Sequence, residues 1–121
     1  MSRLLDKGLE ELTAIVVRMG EIAEETVEVS IDGFLGGKDI TSRVYSLSEI
    51  LVGMSGDAED KAFELIVKYQ PVASDLRIIK SYMKVAHDLE RYGRYAWDIS
   101  FIHKRLAKLR SEEHTSELQS R

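Results

Sequence analysis

The sequence contains no cysteine. That excludes a disulfide, a thiolate nucleophile and a cysteine-ligated zinc site. It has one proline, Pro71, and one tryptophan, Trp97, and aromatic residues make up only 7% of the chain. No apolar run approaches the ~20 residues needed to cross a bilayer. No signal-peptide pattern opens the chain, so a cytoplasmic location is the default expectation. An excess of basic charge is also missing. Seventeen lysines and arginines stand against 21 acids, a net charge of −4, which speaks against non-specific nucleic-acid binding. No nucleophile constellation is visible. The one glycine-rich stretch, "GFLGGKD" (Gly33 to Asp39), has a lysine but neither the spacing nor the following Ser/Thr of a phosphate-binding loop. No catalytic residue and no enzymatic activity are expected.

What is present is a helical pattern. A chain of 121 residues suits one domain and can bury roughly two-thirds of its unfolded surface. Glycine and proline divide it at two places, Gly33 to Asp39 and Tyr69 to Ala73. In the first segment Leu5, Leu9, Leu12, Val16, Met19, Ala23 and Thr26 recur at alternating four- and three-residue steps. In the second, Val44, Leu47, Leu51, Met54 and Ala58 do the same, and Leu65 and Tyr69 resume the pattern. In the third the series is Val72, Leu76, Ile79, Met83, Ala86, Glu90, Gly93 and Trp97. These are helical periods, not strand alternation. The spacing predicts an all-α fold, an up-down-up bundle of three long antiparallel helices, each roughly 45–55 Å long. Asp39 suits the N-cap of the second helix, and Pro71 suits the first turn of the third. Gly53 and Gly56 predict a soft spot or kink in the second helix.

The third helix carries a second apolar stripe: Ile78, Tyr82, Val85, Leu89, Tyr92, Ala96 and Ile99. One reading is that this helix faces both of its neighbours. The other is that it also faces a second bundle. If the stripe is exposed, a homodimer is expected.

The last twelve residues, "RSEEHTSELQSR" (Arg110 to Arg121), have no apolar period and one leucine. The string resembles an in-frame translation of a common DNA-sequencing adapter. The domain reading is therefore a helical domain over residues 1–109 and a non-native polar tail over 110–121, with the natural chain expected to continue past Leu109.

The stretch "YQPVASDLRIIKSYMKVAHDLERYGRYAWDIS" (Tyr69 to Ser100) resembles the PhoU family of phosphate-transport regulators. The motif residues are Gln70, Pro71, Asp75, Leu76 and Arg77 of a Q-P-V-A-x-D-L-R helix start, and Glu90, Arg91 and Gly93 of an E-R-x-G motif. "LEELTAIVVRMGEIAEETV" (Leu9 to Val27) is similar to the family's opening helix, and "RYGRYAWDIS" looks like its archaeal branch. The resemblance implies an all-helical protein, usually of two tandem three-helix repeats, of which one copy is present here. It implies a cytoplasmic regulator that restrains phosphate uptake and phosphate-starvation signalling by binding. Its partners would be components of the phosphate ABC transporter and, in bacteria, a sensor kinase, with membrane association only through them.

The resemblance also implies iron or other divalent metal held through an acid-x-x-x-Asp motif. That defines the alternative function, a metal-binding bundle. Here Glu90 is the first acid, but Arg94 stands where the aspartate is expected, and Ser46 to Val52 of the second helix supply only Glu49. A cation one turn from Glu90 opposes a metal. The expectation is therefore no cofactor and an ion-pair ladder of Glu90, Arg94 and Asp98, with Glu90 holding Arg94 or another helix. Gly93 would leave space for that helix. Asp75 reads as stabilising its helix N-terminus and Arg77 as bridging to a neighbouring helix. His87 and Asp88 point about 100° apart, which disfavours a joint metal site, and His87 reads as a boundary residue. His103 reads as a solvated helix end. Trp97, Tyr82, Tyr92 and Tyr95 read as core or interface.

Overall fold

A computed structural model describes the backbone of residues 3–120 and the side chains of residues 4–113. Three helices account for nearly all of it: α1 (Arg3–Gly36), α2 (Thr41–Tyr69) and α3 (Ala73–Ser120). Each packs against both others. The connections, residues 37–40 and 70–72, are too short for anything but antiparallel neighbours. The all-α, up-down-up bundle is therefore the observed fold. α1 and α2, with 34 and 29 residues, are about 51 and 44 Å long; α3, with 48, reaches about 72 Å. That exceeds the expected length because α3 continues without a break from Leu109 into the tail.

The core follows the apolar period closely. Leu5, Leu12, Val16, Met19 and Ala23 of α1, Val44, Leu51, Ala58 and Leu65 of α2, and Ile79 and Ala86 of α3 are buried. Val72 and Leu76, at the start of the third series, are instead exposed. Buried hydroxyls are returned to their own helix. Thr26 donates to the Ile22 carbonyl at 2.6 Å and Ser30 to that of Val27 at 2.8 Å.

Both chain reversals use a left-handed residue, and this shifts two expected caps. α1 runs to Gly36, and Gly37 (φ +69°) turns the chain so that the Lys38 amide donates back to the Gly33 carbonyl at 3.0 Å. Ile40, not Asp39, is then the N-cap of α2. Asp39 lies one residue further out and accepts from the Thr41 amide at 3.1 Å. The Thr41 hydroxyl beside it and that amide bond, with Lys104 of α3 3.8 Å away, hold its carboxyl below the usual carboxylate range. At the second reversal Gln70 takes φ 43° and its amide donates to the Ile66 carbonyl at 3.0 Å. Pro71 therefore sits outside α3, which begins at Ala73, and does not occupy its first turn. The proline blocks continuation of α2, as expected after a left-handed cap. α2 itself is unbroken through Gly53 and Gly56.

Polar ties cross the bundle. The Thr13 hydroxyl of α1 and the Tyr82 hydroxyl of α3 are hydrogen-bonded at 3.0 Å. Lys61 of α2 pairs with Glu11 of α1 and lies 3.6 Å from Glu64, and its hydrogen bond holds the Glu11 carboxyl below its ordinary value. Arg43 reaches Glu25 at 3.4 Å. Lys61 is half-buried but its acidic partners and the Arg43–Glu25 pair are exposed, so packing rather than charge dominates stability.

At Gly93 α3 approaches the backbone of α2. Gly93 is buried, and a Cβ placed on it would stand 2.8 Å from Leu51 Cδ1 and 3.3 Å from the Ser48 Cα. The Leu51 side chain can turn away, but the Ser48 backbone cannot. The expected space for a helix at Gly93 is thus occupied by α2.

Gly93→Ala is expected to lower the unfolding free energy by ~1–3 kcal/mol, the usual cost of overpacking. Gly53 has nothing within 4 Å of the point where a Cβ would stand. It should respond oppositely, Gly53→Ala raising stability by ~0.5–1 kcal/mol through helix propensity. Urea denaturation of both variants checks this, and equal shifts would disprove the close contact. In the tail, residues 110–113 are exposed. Truncation after Leu109 is expected to change stability by less than ~0.5 kcal/mol, and a larger loss in the same assay would show that the segment contributes to the fold.

Candidate functional site

At Gly93 α3 comes close to Ser48 and Leu51 of α2, and the larger side chains around this contact border a hollow. A cleft of about 460 Å³ opens there, lined by Tyr45, Ser48, Glu49 and Val52 of α2 and by His87, Glu90, Arg91, Arg94 and Trp97 of α3. His87 and Glu90 also border a second hollow of about 230 Å³, closed on the α2 side by Ser55 and Glu59. The two form one groove along the α2–α3 seam.

One wall is aromatic. The Tyr45 and Trp97 rings lie 5.6 Å apart at 58°, a favourable tilted arrangement, and Trp97 is half-buried. The other walls carry charge of both signs. Glu90 is half-buried and leans back over the preceding turn, as helical side chains do, placing Oε2 3.8 Å from His87 Nδ1. Arg94 lies on the exposed rim. Among the described residues no ion pair joins Glu90 to Arg94, or Arg94 to Asp98. The expected ladder is not closed; sequence spacing put these groups on one strip but did not set their rotamers. Arg91 donates to the Tyr95 hydroxyl at 2.5 Å and lies 5.6 Å from the centroid of that ring.

The remaining motif residues are spread along α3 and its entry. Gln70 and Pro71 make the turn. Asp75, in the first turn of α3, is half-buried, and its Oδ2 is shielded without a hydrogen-bond partner. Leu76 and Arg77 are exposed, and among the described residues Arg77 makes no ion pair, so the expected bridge to a neighbouring helix is absent. His87 is exposed, as its boundary reading implied. His103 stacks 5.0 Å from Phe34 of α1 at the far end.

The donor set does not fit a metal. The structure does bring Glu49 and Glu90 to the same cleft, but among the described residues no three His, Asp or Glu side chains gather as ligands. The rim adds Arg91 and Arg94, whose charge opposes a cation. Sequence reasoning singles out Glu49 on α2 and passes over Tyr45, Ser48 and Glu59. The first two are visible in hindsight, since Tyr45, Glu49 and Val52 share one helical face and Ser48 flanks it.

No helix of the described residues is long and apolar enough to cross a membrane. No solved structure matches the chain. Curated sequences do. A protein of Clostridium acetobutylicum named phosphate-specific transport system accessory protein PhoU homolog is 32% identical over 114 residues, 93% of this chain and 51% of its own length. Proteins with the same name from Rhizobium meliloti and Caulobacter vibrioides are 36% and 39% identical over 89 and 93 residues. Those matches take in 73% and 75% of this chain but 38% and 40% of the relatives. The chain thus spans about half the length of these relatives, or less. The family model described as the PhoU domain matches residues 16–102, from the middle of α1 to the region beyond Trp97; the chain belongs to the PhoU family.

Proposed function

We propose that this protein is a regulator of phosphate uptake and phosphate-starvation signalling that works in the cytoplasm without catalysing a reaction. It acts by binding components of the phosphate ABC transporter and, in a bacterial host, a sensor kinase, and it meets the membrane only through them. The PhoU-domain match over residues 16–102 carries this reading, supported by relatives named as accessory proteins of phosphate-specific transport. The α2–α3 groove suits a protein partner. It offers an aromatic wall, Tyr45 and Trp97, beside the two guanidinium groups of Arg91 and Arg94, the residue types that anchor protein interfaces.

Deleting the gene is expected to raise phosphate uptake and starvation-response output in phosphate-replete medium, and re-expression to restore repression. A Trp97→Ala, Arg94→Glu protein that folds normally should fail to restore it. Unchanged uptake and output after deletion would overturn the regulatory role. Normal restoration by the double variant would overturn the groove as the contact.

The same reading assigns no resident metal. Elemental analysis of protein purified without chelator is expected to find no stoichiometric iron, zinc or manganese. Stoichiometric metal that Glu90→Gln removes would establish the carboxylate site instead.

A further inference from the structure

The face of α3 that borders the α2–α3 groove does not stop where the groove does. Glu90, Arg94, Trp97, Phe101, Arg105 and Lys108 succeed one another at steps of three or four residues, so they form one row along the helix. The two helices run antiparallel, with Gly93 against Ser48 and Trp97 against Tyr45. Phe101 is therefore level with Thr41, the first residue of α2. Lys104, 3.8 Å from Asp39, is level with the connection from α1. α3 then runs on past the ends of α1 and α2. Arg105 stands at the base of this projecting end and Lys108 one turn along it.

The row changes sign along its length. Glu49 and Glu90 line the groove. From Arg94 onward the charge is positive: Arg94, Arg105 and Lys108 stand against Asp98 alone, and no acid lies between Ile99 and Leu109. All four of these charges are exposed, and among the described residues none is in an ion pair. In a chain of net charge −4 this is a local reversal of sign. Between the cations sit two aromatic rings, Trp97 half-buried and Phe101 50% exposed. Aromatic anchors flanked by free cations have the composition of a recognition surface.

We infer that this row seats an acidic α-helix of a partner protein, lying lengthwise from Glu90 to Lys108. The inference rests on the reading of the α2–α3 groove as a partner contact, and it gives that partner its chemistry. Shape points to a helix. The groove between two packed helices is a linear trough, and Glu90 to Lys108 spans about 27 Å at 1.5 Å per residue, about five helical turns. One amphipathic helix fills that length, with apolar side chains at three- and four-residue steps set on Trp97 and Phe101. Charge points to acids. Arg94, Arg105 and Lys108 are answered by carboxylates one or two turns apart on the facing helix. Glu49 and Glu90 disfavour the other polyanions, because the uniform phosphates of a lipid surface or a nucleic acid would meet them as like charges. A protein helix escapes this by carrying neutral or basic residues at that end. Its acids therefore concentrate in the half that lies over Trp97 to Lys108.

Photocrosslinking tests it, with p-benzoylphenylalanine in place of Phe101 in the full chain, expressed in the host with its own gene deleted. On irradiation the probe is expected to bond to one protein segment. Mass spectrometry of the cross-linked peptide should show a helical apolar period and a net negative charge. Arg105→Glu/Lys108→Glu is expected to lower the cross-link yield by about tenfold, since each change turns an attraction into a repulsion. Lys7→Glu, exposed at the opposite end of the bundle, should leave the yield unchanged. Circular dichroism should show both variants folded. No protein cross-link, a neutral or basic segment, a bond to lipid or nucleic acid, or a yield indifferent to the double reversal would each overturn the inference. So would an equal loss with Lys7→Glu. The deletion phenotype judges the regulatory role separately. Uptake that rises on deletion while Phe101 captures nothing refutes this helix alone. Capture of an acidic helix with uptake unchanged leaves the helix standing without the transport role.

Discussion

The structure turns on the absence of a side chain at Gly93. There α3 comes close enough to α2 that a methyl group would press on the Ser48 backbone. This contact sets how α3 is rotated about its own axis. With Gly93 against Ser48 and Leu51, the strip holding Glu90 and Trp97 falls beside α2, the strip holding Tyr82 and Leu89 falls towards α1, and Tyr92 and Ile99 are left at the outer edge. The charged cleft and the second stripe, left with Ile78, Val85, Tyr92 and Ile99 exposed, are two consequences of one helix rotation.

That rotation also decides what Glu90 can do. It places the carboxylate at the edge of the seam, half-exposed, where His87 and water reach it. The burial that would have demanded a salt bridge or a metal is therefore not imposed. Arg94 extends along the rim instead. On the proposed reading this leaves a mixed-charge, aromatic-walled surface that a protein partner can fill, with the chain's chemistry directed to recognition.

The fold was legible because its signal is redundant. Leu12, Met19, Leu51, Leu65, Ile79 and Ala86 repeat one helical period, and all are buried. The caps were less legible, because they depend on single left-handed residues. Gly37 could be anticipated, but a glutamine at φ 43° could not, and each displaced its neighbouring cap by one or two positions. The second stripe of α3 could be read from spacing alone. How far α1 would cover it could not, since that depends on how close Gly93 lets α2 come on the other side. The site was half legible: Glu49 and Glu90 do share a cleft, but its aromatic wall joins Tyr45 and Trp97 across a long separation in sequence. The tail shows the same limit in reverse. Its apolar period ends at Leu109, yet α3 continues, because adding residues to an existing helix avoids the cost of a new nucleus.

If the α2–α3 contact anchors the bundle, native-state amide hydrogen exchange measures it directly. The amides of Leu51, Val52, Gly93 and Arg94 are expected to exchange only through global unfolding, with an opening free energy equal to that from denaturation and the same dependence on denaturant. Exchange at these positions through local opening, as fast as at the helix ends, would contradict it.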